Sequence, residues 1–141
     1  MDACVLCNAL INETYRVVYQ DESVFAIIND SPVKKGHVMI LPVRHVENLS
    51  DLKPIESQAF LSLSDRCMRA VEKLTGETSL AIVNGWGFRS QNHLHLHVVP
   101  SKHSLRRLFV AAEGVEHRVP ASIAELEGTA SELTKSLMDS T

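Results

Sequence analysis

Three of the seven histidines fall at alternate positions, His93, His95 and His97, within Asn92-His-Leu-His-Leu-His-Val-Val-Pro100. Extended backbone sends alternate side chains to one face, so this spacing predicts a strand with three imidazoles on one side and Leu94, Leu96 and Val98 on the other. The apolar side suits a core and the histidine side a polar cleft. Near neutral pH an imidazole has a large unprotonated fraction, so such a row can supply a nucleophile, a hydrogen-bond donor or transition-metal ligands. A half-exposed strand with ordinary polar residues facing outward gives the same pattern. A second group opens the chain: Cys4 and Cys7 have the Cys-x-x-Cys spacing of a tetrahedral zinc site, which needs two further ligands. A reduced, incidental pair or a redox pair shares that spacing, but no thioredoxin-like βαβ pattern surrounds it.

The elements that must position these groups are legible in outline. The spacing predicts short strands over 16–19, 23–28, 38–41, 79–84 and 93–99. Between the third and fourth, Phe60, Leu63, Cys67, Val71 and Leu74 repeat at helical intervals, opened by Pro54 and Glu56 and closed at Gly76. Cys67 falls on the apolar face of that helix and is expected in the core. Ser122 and Glu125 form a candidate capping box ahead of Ile123, Leu126, Ala130, Leu133 and Leu137, predicting a C-terminal helix that Gly128 weakens. Paired strands with an inserted helix and no βαβ rhythm imply an α+β fold on an antiparallel sheet.

Composition sets the outer bounds. The 141 residues are 45% hydrophobic and 22% charged, enough for one domain with its own core. Fourteen Lys and Arg against 17 Asp and Glu leave a net charge of -3, which provides no global basic field for a nucleic-acid polymer. The longest apolar runs fall far short of a bilayer span, so the expected setting is cytoplasmic with no membrane partner. An odd count of three cysteines argues against a secreted disulfide framework.

His-Leu-His-Leu-His-Val-Val resembles the signature of the histidine-triad family of nucleotide hydrolases and transferases. Cys4-Val-Leu-Cys7, Ser31-Pro32, Gly36-His37-Val-Met-Ile-Leu-Pro42 and Arg44-His45-Val-Glu-Asn-Leu49 resemble further blocks of that family, in the family's order. The resemblance runs from Cys4 to Pro100. It implies a five-stranded antiparallel sheet with one long and one short helix, and a homodimer. The tail carries no family signature, and the chain reads as a domain over residues 1–110 with a helical extension, 111–141, packed on it. The resemblance also implies that His95 attacks the α-phosphate of a nucleoside phosphoramidate or dinucleoside polyphosphate. A nucleotidyl-histidine forms and is released as the nucleoside monophosphate. His97 donates to phosphate oxygens or leaving group, His37 supports the nucleophile from the neighbouring strand, His93 completes the catalytic set, and Ser90 and Asn84 sit where relatives contact phosphates. Ordinary turn chemistry also accounts for Ser90 and Asn84. For the cysteines the resemblance implies a closed, structural zinc site of Cys4, Cys7, His45 and His93.

Two positions depart from the family's pattern. Asn29, followed by Asp30, replaces the aspartate that many relatives use on the ribose hydroxyls. Arg89, in Arg89-Ser-Gln-Asn92, replaces a glutamine and could grip a phosphate bidentately, a string resembling the relatives that cleave CDP-diacylglycerol. Trp86 is placed to stack on a base, wall the pocket or cover a dimer seam. His103, His117, Lys102, Arg106, Arg107 and Arg118 form a local basic patch that suits a polyphosphate tail, an acidic partner or plain solvation. The rival functional readings are a nucleotide- or partner-binding module with little catalysis, a CDP-lipid-type pyrophosphatase, and a transition-metal carrier built on the histidine row.

Overall fold

The computed structural model describes residues 3–116 and 118–139. Its contacts divide into a unit that runs to Ser104 and a second that begins at Leu105.

The first unit is a five-stranded antiparallel sheet of β1 (Val17–Gln20), β2 (Val24–Ile28), β3 (Val38–Pro42), β4 (Thr78–Ile82) and β5 (Leu96–Ser101), in spatial order β1-β2-β3-β5-β4. Two helices cover its two faces. The long one, α2 (Pro54–Thr75), begins with Pro54 at its first turn, where the missing N–H costs nothing. Glu56 accepts the Lys53 N–H at 2.8 Å. The helix ends at Gly76, whose φ of 71° is a left-handed cap. Its apolar stripe of Phe60, Leu63, Cys67 and Val71 packs on Val24, Ala26, Val38, Ile40, Leu94, Leu96 and Val98. Burying each large side chain contributes about 2 kcal/mol, so this layer anchors the strand that follows the first two histidines.

The opposite face is covered by a short helix that hydrophobic periodicity does not reveal, α1 (Val5–Asn12). Leu6 and Ala9 pack there on Phe25, Ile27, Met39 and Leu41. Eight residues are too few to be stable alone, so α1 depends on this contact and on whatever fixes its first turn. Cys4 is its N-cap, and the Cys4 sulfur accepts the Cys7 N–H at 3.4 Å. In the turn between β2 and β3, Gly36 adopts φ 97° with its α-carbon facing Thr75 and Val71, a place a side chain fits only under strain. The turn delivers His37 to the end of β3, where its carbonyl accepts the Asn29 N–H.

The second unit holds α3 (Leu105–Glu113), a stretch whose sequence pattern is too weak to mark a helix, and α4 (Ile123–Asp139). The expected capping box is present: Ser122 N–H donates to Glu125 and Glu125 N–H to the Ser122 hydroxyl. Gly128 lies inside α4 without interrupting it. His117, expected in the basic patch, falls outside the described residues.

Candidate active site and metal centre

The strand expected from His93 begins three residues later, at Leu96. The cause lies in its neighbour. Pairing between β3 and β5 reaches Ile40 opposite Leu96, and β3 then ends at Pro42, whose nitrogen has no hydrogen to donate. Beyond that point the Leu94 N–H goes to the Val46 carbonyl at 2.7 Å, and the Pro42 carbonyl accepts from His93 Nε2 at 2.9 Å. The face survives the loss of regular pairing. The rings of His95 and His97 lie 4.9 Å apart, and that of His93 lies 4.8 Å from His45.

Hydrogen bonds to groups of fixed polarity assign a tautomer to each triad imidazole. A carbonyl only accepts, so His93 carries its hydrogen on Nε2 and presents the Nδ1 lone pair. His95 is the reverse: Nδ1 donates to the His93 carbonyl at 2.7 Å, and Nε2 keeps a free lone pair. His97 is set through His37. The Val33 N–H donates to His37 Nδ1 at 3.2 Å, so His37 Nε2–H donates to His97 Nδ1 at 2.8 Å. That leaves His97 Nε2–H to point onward. Burial, with the neighbouring His95 and His37, pushes His97 down to about 4, and burial also lowers His37. Both are neutral at pH 7, as this relay requires.

The four predicted metal ligands converge, with their ligand atoms all within 4.8 Å of one another. His93 Nδ1 is 3.5 Å from the Cys4 sulfur and 3.3 Å from the Cys7 sulfur, and His45 Nδ1 is 3.5 Å from Cys7. Sulfur at about 2.3 Å and nitrogen at about 2.0 Å from a tetrahedral ion lie about 3.5 Å from each other, so these three sulfur–nitrogen distances match a zinc site. Burial and the adjacent Cys4 push the Cys7 thiol up to about 11, so a bound cation is what would make its thiolate favourable at neutral pH. Arg44 steadies the loop bearing His45. It grips Glu56 on α2 through Nε at 2.9 Å and Nη2 at 2.7 Å. That two-pronged contact holds the Glu56 carboxyl down to about 2.

His95 and His97 open into a cavity of about 230 Å³. Asn84, Ser90, Gln91, Asn29, Asp30, Met39 and Arg16 line it, Met39 directly opposite His97 in the sheet, and Val5, Leu6 and Ala9 of α1 form an apolar wall. Asn29 Oδ1 accepts the Ser31 N–H at 2.8 Å and its Nδ2 faces Met39 Sδ at 3.3 Å. Arg89 is placed otherwise than expected for a phosphate clamp. Its Nε donates to the Asn84 carbonyl at 2.9 Å and its Nη1 to the Glu47 carbonyl, it stacks on Trp86, and it is absent from the cavity lining. Trp86 likewise stands outside the lining, and Phe88 is in it. His103 is exposed, and Lys102 lies 4.0 Å from Glu77. Sequence reasoning missed Arg16, Met39, Gln91 and Phe88. Nothing in their spacing marks them, since strand order brings them to the cavity.

The HIT domain family model matches residues 12–104. The chain belongs to the HIT family. An uncharacterised HIT-like protein of Mycobacterium tuberculosis is 33% identical over 103 residues, covering 70% of this chain and 72% of the relative. A bis(5'-adenosyl)-triphosphatase of Saccharomyces cerevisiae is 37% identical over 92 residues, covering 62% of this chain and 44% of the relative, so this HIT chain matches less than half of that protein. A zinc-bound histidine triad family protein from Mycobacterium smegmatis superposes with a TM-score of 0.63 at 26% identity, covering 74% of this chain and 78% of its own. No helix among the described residues is long and apolar enough to cross a membrane.

Proposed function

We propose that this HIT protein is a hydrolase or transferase that cleaves the α-phosphate linkage of nucleoside phosphoramidates or dinucleoside polyphosphates through a nucleotidyl-histidine on His95. The observation that carries the reading is the pairing of tautomers in the cleft: a free lone pair on His95 Nε2 beside a donor on His97 Nε2. His95 Nε2 attacks phosphorus, the bond to the leaving nitrogen or oxygen breaks, and the His93 carbonyl holds the Nδ1 hydrogen of the imidazolium that forms. His97 Nε2–H donates to a phosphoryl oxygen as charge builds there, with His37 fixing its orientation. Ser90 and Asn84, which line the same cavity, would add donors. Water or another acceptor then takes the nucleotidyl group from His95. The triphosphatase relative supports a dinucleoside polyphosphate as one substrate class.

Cys4, Cys7, His45 and His93 would hold a structural zinc ion, which supplies a cross-link between the N-terminal turn and the triad segment. Asn29 would contact the ribose, and Arg89 would brace the phosphate loop against the Glu47 carbonyl. A homodimer is the expected assembly, to be checked by light scattering at micromolar concentration.

The test is chromatographic turnover of adenosine phosphoramidate, diadenosine triphosphate and CDP-diacylglycerol by wild type and His95→Ala. Release of a nucleoside monophosphate by wild type and none by the variant supports the mechanism. Equal turnover by both overturns it, as does silence from a folded, zinc-loaded wild type on all three.

A further inference from the structure

From the geometry we infer that Arg16 reads the base and selects a 6-oxopurine, guanine or hypoxanthine, over adenine. The inference rests on the nucleotide reading above and specifies the far end of the same cavity.

Arg16 immediately precedes β1, yet its side chain is only 10% exposed and lines the cavity. Two anchors hold the guanidinium. Nε–H donates to the Ile28 carbonyl at 3.0 Å, and Nη1 pairs with Glu13. Neither anchor uses Nη2, and Arg16 lines the cavity, which leaves the Nη2 hydrogens for a ligand bound there. Placement at the Ile28 carbonyl puts the guanidinium at the end of β2. Ile27 pairs with Met39, and Met39 with His97. Two strand-to-strand steps, about 10 Å, therefore separate it from the triad. With phosphorus at His95, the ribose lies over Met39 and Asn29, and the base edge meets Arg16. Val5, Leu6 and Ala9 supply an apolar surface for the face of the ring.

A fixed guanidinium offers only donors. A 6-oxopurine presents two adjacent acceptors, O6 and N7, whereas adenine sets an N6 donor beside N7. Arg16 therefore attracts the first pair and opposes half of the second. Glutamine, with one donor and one acceptor, matches the adenine edge instead.

The experiment is titration calorimetry of the zinc-loaded full chain with GMP, IMP and AMP, on wild type, Arg16→Gln, Arg16→Met and Glu13→Gln, with thermal melting to establish folding. GMP and IMP should each bind wild type about tenfold more tightly than AMP. Arg16→Met should weaken GMP about tenfold and leave AMP within about threefold, and Arg16→Gln should bring AMP level with GMP or ahead of it. Glu13→Gln, which removes an anchor but no donor, should keep the wild-type order. Equal affinity of wild type for GMP and AMP, or equal weakening of both by Arg16→Met, overturns the base reading and leaves the His95 chemistry standing. Failure of folded wild type to bind any of the three overturns both.

Discussion

His93 and His97 stand four residues apart on one face of one segment, and their surroundings make them opposite reagents. His93 spends its hydrogen on the Pro42 carbonyl and turns a lone pair toward two sulfurs. His97 spends its lone pair on His37 and turns a hydrogen toward the cavity. His95, between them, faces a lone pair into the same cavity because its hydrogen is held by the His93 carbonyl. Alternation delivers three identical rings to one side, and a single hydrogen bond to each decides whether it presents a lone pair or a hydrogen.

The sharpest way to break that comparison is to delete each end. His93→Ala should lower bound zinc from one per chain toward none and the melting temperature by about 10 °C or more, since a structural metal contributes folding energy directly. His97→Ala should keep the metal and the melting temperature within about 2 °C while turnover falls about 100- to 1,000-fold. Elemental analysis, calorimetry and the turnover assay separate the two outcomes. Equal metal loss in both variants would dissolve the contrast. His37→Ala comes next, with a fall in kcat of about tenfold because only the orientation of His97 is lost. His37→Gln, whose amide can still donate toward His97 Nδ1, should recover part of it.

Acid tests the same pair together. His93 and His97 both sit near 4 in the fold, His93 chiefly through burial. In the unfolded chain a histidine titrates near about 6.5. The unfolded state therefore binds more protons between those values. The contribution of these two imidazoles should be flat from pH 7 upward and decline as pH falls from about 6.5 to about 4. Denaturant melts at pH 7.5, 6 and 5 check the sign. The smallest expected effect is at Asn29→Asp. Its Oδ1 already serves the Ser31 turn, so the extra charge should change KM by no more than a few fold.

Much of the architecture was legible because it follows from alternation and caps. Pro54, Glu56 and Gly76 bound α2 where the sequence indicated, and Leu94, Leu96 and Val98 face the core beneath the histidines. The missed pieces have local causes. α1 is short and held by tertiary contact, so it has too few turns to reveal a period. The late start of β5 depends on the proline ending a different strand. Cys-x-x-Cys suggested a metal, but the other two ligands came from resemblance, because only the fold brings residues 38 and 86 positions beyond Cys7 to its sulfur. Arg89 carries the right charge for a phosphate, and its contacts with the Glu47 and Asn84 carbonyls depend on loop geometry that its residue type does not reveal.

Cys4, Val5, Leu6 and Cys7 form one short turn that faces two ways, its sulfurs toward the His45 and His93 rings and its apolar pair toward the cavity. Thermodynamic reciprocity would then bind the two sites together: by whatever factor a zinc ion there improved nucleotide affinity, nucleotide would improve retention of the ion. The equilibrium partition of zinc between the protein and a competing chelator, with and without GMP, would thus gauge how firmly that turn is seated.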